Sequence, residues 1–264
     1  TVTAQQEGKT PEQVAMEYHK LNSDSIERMG ISFDLFSHTH TEEHAEVALS
    51  ILKKLDDNGY IEPRISEEPY DPIANQFLPD RYVEGNCPHC NYDSARGDQC
   101  DKCGKTLDPK ELINPRSKLN PDAKIDFRET EHLFFKLSEF RDVLLEWLSE
   151  GKEHWRPSVI NFTRNWLKEG LIDRAVTRDL DWGIEIPREG YENKRMYVWF
   201  EAVMGYYSAS VHWAKNQGKP DEWKKWWENE DSEHYYFMAK DNIPFHTIIW
   251  PAMLSGCGLS LIHI

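Results

Sequence analysis

The chain has 264 residues, a formal net charge of −15 and 39% hydrophobic residues, and 12% of all residues are aromatic. This length allows one large domain or two small ones with a substantial core. The acidic balance argues against a general nucleic-acid coat protein, which presents a basic face to phosphates, but leaves room for a local contact with RNA. No apolar run approaches the ~20 residues that cross a bilayer, and no signal peptide is recognisable, so we expect a cytoplasmic protein.

Two helices are predicted near the start of the chain. Thr10, Pro11 and Gln13 have the pattern of an N-cap, a first-turn proline and a capping box for a helix that runs to about Leu21. Residues 30–34 resemble a short strand or an extended loop.

The second helix is predicted over residues 42–58. Thr41 can cap its start and Gly59 can end it. Its apolar residues recur at helical spacing and share one face. They are Ala45, Ala48, Leu49, Leu52 and Leu55.

Two C-x-x-C pairs lie close together between residues 87 and 103. Cys87, Cys90, Cys100 and Cys103 can place four thiolates around one ion, the shell that structural Zn²⁺ prefers. The alternatives are two disulfides or four free thiols, and ligand spacing without any sign of secretion favours zinc. Nearby glycines are predicted to let the backbone turn towards the metal. They are Gly85, Gly97 and Gly104.

The composition changes at Pro63, where prolines replace long periodic runs until about Leu119, as expected of a small module held by a metal. A strand is predicted over residues 127–135. Ser138 is predicted to cap a helix that ends near Gly151, and another helix spans about 157–169. The first helix has an apolar stripe of Phe140, Val143, Leu144, Trp147 and Leu148.

The last ninety residues alternate between strand and helix patterns. Strands are predicted over residues 182–186, 196–200 and 234–239. Helices are predicted over 202–216 and 243–254, the second capped by Asn242. This order predicts an α/β fold with a parallel sheet and crossover connections.

Ligands of such sheets bind where a strand passes into the next helix. Trp199, Ala202 and Tyr206 lie at one such point and could form an apolar pocket, although spacing alone favours core packing. Asp241 lies at the other, where its carboxylate could accept hydrogen bonds from a ribose diol near a helix N-terminus. Simple capping by Asp241 and Asn242, and an interior role for the nearby His246, stay equally open, and Trp250 is predicted to share a helix face with His246.

Three histidines precede the second helix. His38, His40 and His44 could be taken for a metal cluster, but their position beside a capped helix favours a polar loop.

Several short sequence motifs resemble those of methionyl-tRNA synthetases, which are class I aminoacyl-tRNA synthetases. The motifs occur in the same order as in that family and cover nearly the whole chain. Besides the paired C-x-x-C motifs, they are Phe77-Leu-Pro-Asp-Arg81, Glu131-His-Leu-Phe-Phe135, Thr177-Arg-Asp-Leu-Asp-Trp-Gly183, Tyr197-Val-Trp-Phe-Glu-Ala202, Gly205-Tyr206, Tyr236-Phe-Met-Ala-Lys-Asp-Asn-Ile-Pro-Phe-His246 and Trp250-Pro-Ala-Met-Leu254.

The resemblance implies a partial Rossmann-like parallel sheet that is split by a connective insertion with a zinc knuckle. Residues 1–62 would end the first half of the catalytic domain, 63–175 would form the insertion, and 176–256 the second half. Residues 257–264 form an atypical tail, and we expect the chain to be a fragment.

The resemblance also implies an ATP-dependent methionine–tRNA ligase with methionine, ATP and tRNA(Met) as partners, a structural Zn²⁺, and Mg²⁺ with ATP in the full-length enzyme. Asp241 and Asn242 resemble its adenosine contacts, and Arg178 resembles a catalytic position. Its methionine pocket corresponds to Trp199, Ala202, Tyr206, Phe245, His246 and Trp250. An aromatic cavity with one hydroxyl suits a polarizable thioether.

Three departures from the family pattern bear on activity. Val203 replaces a frequent proline, and Ala239 replaces a glycine, which would strain a backbone that needs a positive φ. The sequence also contains neither H-I-G-H nor K-M-S-K-S, which supply phosphate contacts, so the chain alone is expected to be inactive. The alternatives are another class I synthetase, such as one for leucine or isoleucine, and a stand-alone zinc ribbon that binds RNA or protein.

Overall fold

The computed structural model describes residues 2–79, 82–97, 100–103, 107–120, 122–229 and 231–259. Its first helices are α1 (Val2–Glu7) and α2 (Pro11–Arg28). The predicted capping box is confirmed: the Gln13 N–H donates to Thr10 Oγ1, and the Thr10 N–H donates to Gln13 Oε1. An extended loop follows α2.

Helix α3 (Glu42–Asp57) packs into the main core. Thr41 caps it as predicted by accepting from the His44 N–H. Ala48, Leu52 and Leu55 are buried, whereas the neighbouring Ala45 and Leu49 are half-buried. The predicted face is therefore displaced slightly, and Val47, Ile51 and His44 complete the buried side.

A long antiparallel ladder follows. Strand β1 (Ile61–Asp71) pairs along most of its length with β6 (Asp126–Phe135). Strand β6 confirms the strand predicted over residues 127–135. Strands β2 (Gln76–Phe77) and β7 (Arg174–Ala175) complete a four-stranded sheet in the order β2-β1-β6-β7.

A smaller sheet has its own core. Strands β3 (Val83–Asn86), β4 (Ala95–Arg96) and β5 (Ile113–Ser117) are ordered β4-β3-β5 and pair antiparallel. The buried residues against this sheet include two of the four cysteines. They are Leu78, Val83, Cys87, Ala95, Cys100, Leu107, Leu112 and Ile125.

The main core joins the remaining elements. Helices α4 (Arg141–Trp147) and α5 (Pro157–Glu169) precede a second antiparallel pair, β8 (Thr177–Asp179) and β9 (Lys194–Met196). Helices α6 (Val198–Glu201), α7 (Gly205–Asn216), α8 (Lys224–Trp227) and α9 (Trp250–Gly256) follow.

Two local predictions about the middle of the chain are wrong. Ser138 does not cap α4, because its N–H and its hydroxyl both donate to Asp173 Oδ1, and α4 begins only at Arg141 after a 3₁₀ turn. Residues 182–186 form a single β-bridge rather than a strand.

The mixture of helices and strands agrees with the predicted α/β class, but every strand ladder in the described residues is antiparallel. The β-prone run at 196–200 turns into α6, because a helix brings Phe200, Val203 and Met204 into the core at spacings of three and four residues. Residues 232–239 are extended without a ladder, since no neighbouring strand lies beside them in the described chain.

No helix in the described ranges combines the length and the apolar character that a bilayer span requires.

Gly256 packs so tightly in α9 that a methyl group has no room. A Cβ there would lie 2.6 Å from Leu55 Cδ2 and 2.9 Å from Phe140 Cζ. We expect Gly256→Ala to lower the free energy of unfolding by about 1–3 kcal/mol through overpacking. Urea denaturation should show this loss, while Ser255→Ala in the same helix serves as the control. An unchanged midpoint for Gly256→Ala would contradict the packing argument.

Candidate functional site

The four predicted metal ligands meet at one end of the small sheet. The sulfur atoms of Cys87, Cys90, Cys100 and Cys103 all lie within 4.8 Å of one another. The Cys87–Cys103 pair is separated by 3.8 Å and the Cys90–Cys100 pair by 3.6 Å, so neither pair forms a disulfide. Cys87 directly follows β3, and Cys100 lies four residues after the end of β4 in the sequence.

These separations fit a metal ion. A tetrahedron of Zn–S bonds of about 2.3 Å has edges of about 3.8 Å. The backbone also donates to sulfur: the His89 N–H lies 3.4 Å from Cys87 Sγ. Burial opposes ionisation of Cys100, but the N–H groups of Cys103 and Lys102 lower the pKa of that thiol to about 7. The four cysteines can therefore hold a metal ion.

The glycine prediction needs a correction. Gly85 lies within β3 rather than at a turn, and a Cβ there would lie 2.9 Å from the Ile113 carbonyl oxygen on β5. Its role is the close approach of two strands. Gly97 follows β4 and donates its N–H to Val83, and Gly104 is outside the described residues.

The predicted pocket residues lie on two helical segments that face each other. Trp199 in α6 stacks on Phe245, with ring centroids 5.2 Å apart and planes at 30°. Tyr206, in the first turn of α7, donates its hydroxyl to His246 Nε2 at 2.7 Å. Ala202, between Trp199 and Tyr206, is half-buried and adds little bulk. The structure thus brings the predicted aromatic residues together.

A π-helical segment, Phe245–Ile249, orients His246. The wider turn changes the backbone hydrogen bonds, and π segments occur often at functional sites. The His246 Nδ1 lies 2.8 Å from the Asn242 carbonyl oxygen, and the Thr247 hydroxyl donates to the Ile243 carbonyl at 2.9 Å. A carbonyl can only accept, so Nδ1 carries the proton and Nε2 of the neutral ring accepts from Tyr206.

Tyr236 belongs to the same aromatic group, although the sequence analysis assigns it no site role. Its ring lies 4.9 Å from Tyr206 and 5.4 Å from His246, edge to face with both. Burial raises the pKa of Tyr236 to about 12. Trp250 donates its indole N–H to the Tyr236 hydroxyl at 3.3 Å and is fully buried. Trp250 therefore supports the pocket from the core rather than lining an open wall.

Acid pH should weaken the structure around His246. Burial lowers its pKa below the ordinary value near 6.5, although the bond to Asn242 opposes this change. Between the two pKa values the unfolded chain binds more protons than the folded one, so stability falls as pH decreases from about 6.5 through the folded-state pKa. An NMR titration of the His246 ring, with unfolding measured over the same pH range, should show this loss. His246→Gln should lack it, and an equal acid loss in that variant would contradict the assignment.

Asp241 lies at the start of the helical segment, within a 3₁₀ turn of residues Lys240–Asn242. The prediction that Asn242 caps the helix is wrong, because the turn begins after Ala239 and no side chain caps it. Asp241 is exposed, and Asn242 Nδ2 lies 3.5 Å from its Oδ1. Its carboxylate therefore faces solvent beside a helix start.

Ala239 is not strained. Its φ of −77° and ψ of 161° lie in the extended region that any residue adopts. The expected penalty for replacing glycine is therefore absent from the backbone of this structure.

Arg178 lies in β8 and contacts a residue next to the predicted pocket residues. Its guanidinium carbon lies 3.9 Å above the ring of Tyr197, two residues before Trp199. On its other side it lines a small cavity with six other residues. They are Glu68, Phe77, Leu78, Pro79, His132 and Asp179.

Asp179 in this cavity is a paired carboxylate. Burial raises its pKa, but His132 and Lys194 outweigh that effect and hold the pKa below its ordinary value. Lys194 Nζ donates to Asp179 Oδ1 at 2.7 Å and to Thr130 Oγ1 at 2.8 Å. Asp179 is therefore ionised and fixes β9 against β6 and β8.

The three histidines at positions 38, 40 and 44 separate into two environments. His38 and His40 lie in the predicted polar loop, but His44 lies inside α3 and is only 1% exposed. In the described part of the chain, the four cysteines are the only group with metal-ligand geometry.

Comparison with known proteins places this geometry in context. The family described as tRNA synthetases class I (M) matches residues 1–263. The methionine–tRNA ligase of Dehalococcoides mccartyi strain 195 is 55% identical over 258 residues, covering 98% of this chain and 46% of the relative. That of Thermomicrobium roseum is 52% identical over 261 residues (99% and 44%), and that of Thermoplasma volcanium is 49% identical over 258 residues (98% and 47%). The chain spans less than half the length of these relatives.

Solved structures show the same fold. Mycobacterium tuberculosis methionyl-tRNA synthetase in complex with methionyl-adenylate matches with a TM-score of 0.67 and 21% identity, covering 98% of this chain and 44% of that chain. Its free form matches with a TM-score of 0.61 and 21% identity, covering 95% and 44%. At this identity the likeness is one of fold.

Proposed function

The chain belongs to the class I tRNA synthetases (M) and has the class I synthetase fold, and on that premise we propose that it forms part of a methionine–tRNA ligase. In the proposed reaction, the methionine carboxylate attacks the α-phosphate of ATP and releases pyrophosphate, and the methionyl group is then transferred to tRNA(Met) with release of AMP. The observation that carries the proposal is the aromatic group built around the Tyr206–His246 hydrogen bond.

We propose that methionine binds between α6–α7 and the π-helical segment. The faces of Trp199 and Phe245 are polarizable, and sulfur–aromatic contacts contribute roughly 0.3–1.5 kcal/mol each. The Tyr206 hydroxyl and the neutral His246 ring provide polarity without charge. A charged amino-acid side chain would lack a counter-ion among these groups, so the pocket favours an uncharged thioether.

ATP is proposed to bind where the helical segment begins. The Asp241 carboxylate is exposed and free of a capping role, so it can accept hydrogen bonds from the ribose hydroxyls, with Asn242 beside it. Mg²⁺ would accompany the phosphates of ATP when bound. Arg178, beside Tyr197, is proposed to contact the reacting groups as a cation.

The metal held by the four cysteines is proposed to be a structural Zn²⁺. Four thiolates complete the tetrahedral shell and leave no open position for substrate. The insertion is proposed to span residues 63–175. In support, β1 begins at Ile61, β7 ends at Ala175, and the small sheet lies between them in sequence. Residues 1–62 and 176–256 are proposed to be the two halves of the catalytic domain.

The stand-alone zinc-ribbon alternative accounts for less of the chain. The family match extends over residues 1–263 and so includes the aromatic pocket as well as the cysteines. The relatives at 49–55% identity are methionine–tRNA ligases, which speaks against a leucine or isoleucine enzyme.

A chimaera tests the proposed activity. Residues 1–259 would replace the matching stretch of the Dehalococcoides mccartyi relative, and methionine-dependent ATP–pyrophosphate exchange would be measured. We expect exchange within about tenfold of the relative, or ~1.4 kcal/mol, and background exchange from the 264-residue chain alone. A folded, zinc-loaded chimaera without exchange, together with a chain that does not bind methionine in calorimetry, would overturn the proposal.

A further inference from the structure

His44 joins two parts of the chain that lie far apart in sequence. It stands in the first turn of α3 and is 1% exposed. Its Nε2 lies 2.5 Å from Glu201 Oε2, and its Nδ1 lies 2.8 Å from Ser208 Oγ. Glu201 and Ser208 are also buried, at 8% and 5% exposed.

The hydrogen bonds fix the orientation of the imidazole ring. The Glu201 carboxylate accepts from His44 Nε2. His44 Nδ1 shares a hydrogen bond with Ser208 Oγ, which also lies 3.1 Å from the Gly205 carbonyl oxygen. The ring is therefore held on both of its nitrogen atoms.

This group spans the 3₁₀ turn between two helices that carry predicted pocket residues. Glu201 is the last residue of α6, the 3₁₀ turn covers Ala202–Met204, and Ser208 lies in the first turn of α7. One imidazole therefore contacts residues on both sides of the 3₁₀ turn. The pocket residues Trp199, Ala202 and Tyr206 lie on the same stretch.

We propose that His44, Glu201 and Ser208 form a clamp that sets the spacing of the pocket wall, and that they are positioning residues for the amino-acid site. The identity of the ligand rests on the proposed function, whereas the effect of these three residues on the geometry of Tyr206 and His246 does not. If the clamp loosens, the Tyr206 hydroxyl should lose its alignment with His246 Nε2. The clamp thus controls the pocket from α3, more than 150 positions away in sequence.

Glu201→Gln is the main test variant, since it keeps the shape and removes the charge. Asp71→Asn is the matched control, because Asp71 is a fully buried carboxylate that accepts from Ser117 and Asn120 near the small sheet. The rescue variant is His44→Gln with Glu201→Gln, in which a neutral amide pair restores one hydrogen bond. Ser208→Ala is a milder variant that keeps the His44–Glu201 hydrogen bond and provides a folded comparison if Glu201→Gln does not fold.

Two measurements on the 264-residue chain separate the clamp from the function. The first is the pair of ¹⁵N shifts of the His246 ring, assigned with His246→Gln, which needs no ligand. The second is the dissociation constant of L-methionine from calorimetry. We expect Glu201→Gln to move the ¹⁵N shift of His246 Nε2 away from that of Nδ1, because Nε2 loses the Tyr206 donor while the Asn242 carbonyl still holds the Nδ1 proton. We expect methionine binding to weaken at least tenfold in Glu201→Gln and about threefold in Ser208→Ala, and the double variant to recover most of the loss.

The outcomes discriminate between the ideas. Unchanged ¹⁵N shifts in Glu201→Gln and Ser208→Ala, or equal changes in Asp71→Asn, would overturn the clamp. If the ¹⁵N shifts change in these variants while the unsubstituted chain binds no methionine, the clamp is supported and the proposed function is rejected.

Discussion

Removal of the metal from the four cysteines is expected to unfold the small sheet while the main core stays folded. The core of this sheet is small, and two of its buried residues, Cys87 and Cys100, are themselves among the proposed metal ligands. A structural zinc ion contributes roughly 10–16 kcal/mol to folding of such modules, more than a core of this size can supply alone. Hydrogen exchange after treatment with a tight chelator should show lost protection in β3, β4 and β5 and retained protection in α3 and α9.

Cysteine variants give the matched control. Cys90→Ser should release the metal and reproduce the effect of the chelator, whereas Cys257→Ser should retain one zinc ion per chain. Cys257 packs against the main core, with its sulfur 3.8 Å from the Ile51 carbonyl oxygen. Protection of β3–β5 that survives complete loss of zinc would refute the structural role.

Features that depend on neighbouring residues were predictable from the sequence. The caps at Thr10 and Thr41 form as expected, because an N-cap needs only a side-chain oxygen and an N–H three residues later. The cysteine cluster is equally local, since each C-x-x-C turn presents two sulfur atoms in one direction. The long strand at 127–135 has enough β-prone residues to be recognised alone.

Features that depend on residues distant in the sequence were not predictable from it. Residues 196–200 have high strand propensity, but burial of Phe200 beside Val203 and Met204 overrides it. The burial of His44 depends on Glu201 and Ser208, which are more than 150 positions away. Tyr236 likewise joins the pocket only because Tyr206 and His246 meet in space.

The group around Tyr206 shows how the two kinds of information combine. The motif placed Trp199, Tyr206 and His246 in one site, but it did not predict the orientation of the His246 ring. That orientation follows from the π-helical segment, which presents the Asn242 carbonyl to Nδ1. The proximity of these side chains is thus predictable from the sequence, whereas the direction of their hydrogen bonds requires coordinates.

Asp241→Asn in the chimaera is expected to lower methionine-dependent exchange by roughly 10- to 150-fold, since a hydrogen bond to a charged group contributes about 1.5–3 kcal/mol. The carboxylate is exposed and caps no helix, so the substitution should leave stability unchanged. The effect should appear in the KM for ATP and in kcat, while methionine binding stays intact. This pattern would separate a ribose contact from a pocket residue.

Asp231→Asn provides the control, because Asp231 is an exposed aspartate ten residues before Asp241 and lies outside the pocket. It should leave exchange within about twofold of the parent chimaera, less than ~0.5 kcal/mol. A carboxylate at position 241 that merely improved solubility or local folding would give the two variants the same small effect. Equal activities of Asp241→Asn and Asp231→Asn would therefore remove Asp241 from the proposed site and leave the aromatic group, which is proposed to bind methionine, as the remaining proposed contact.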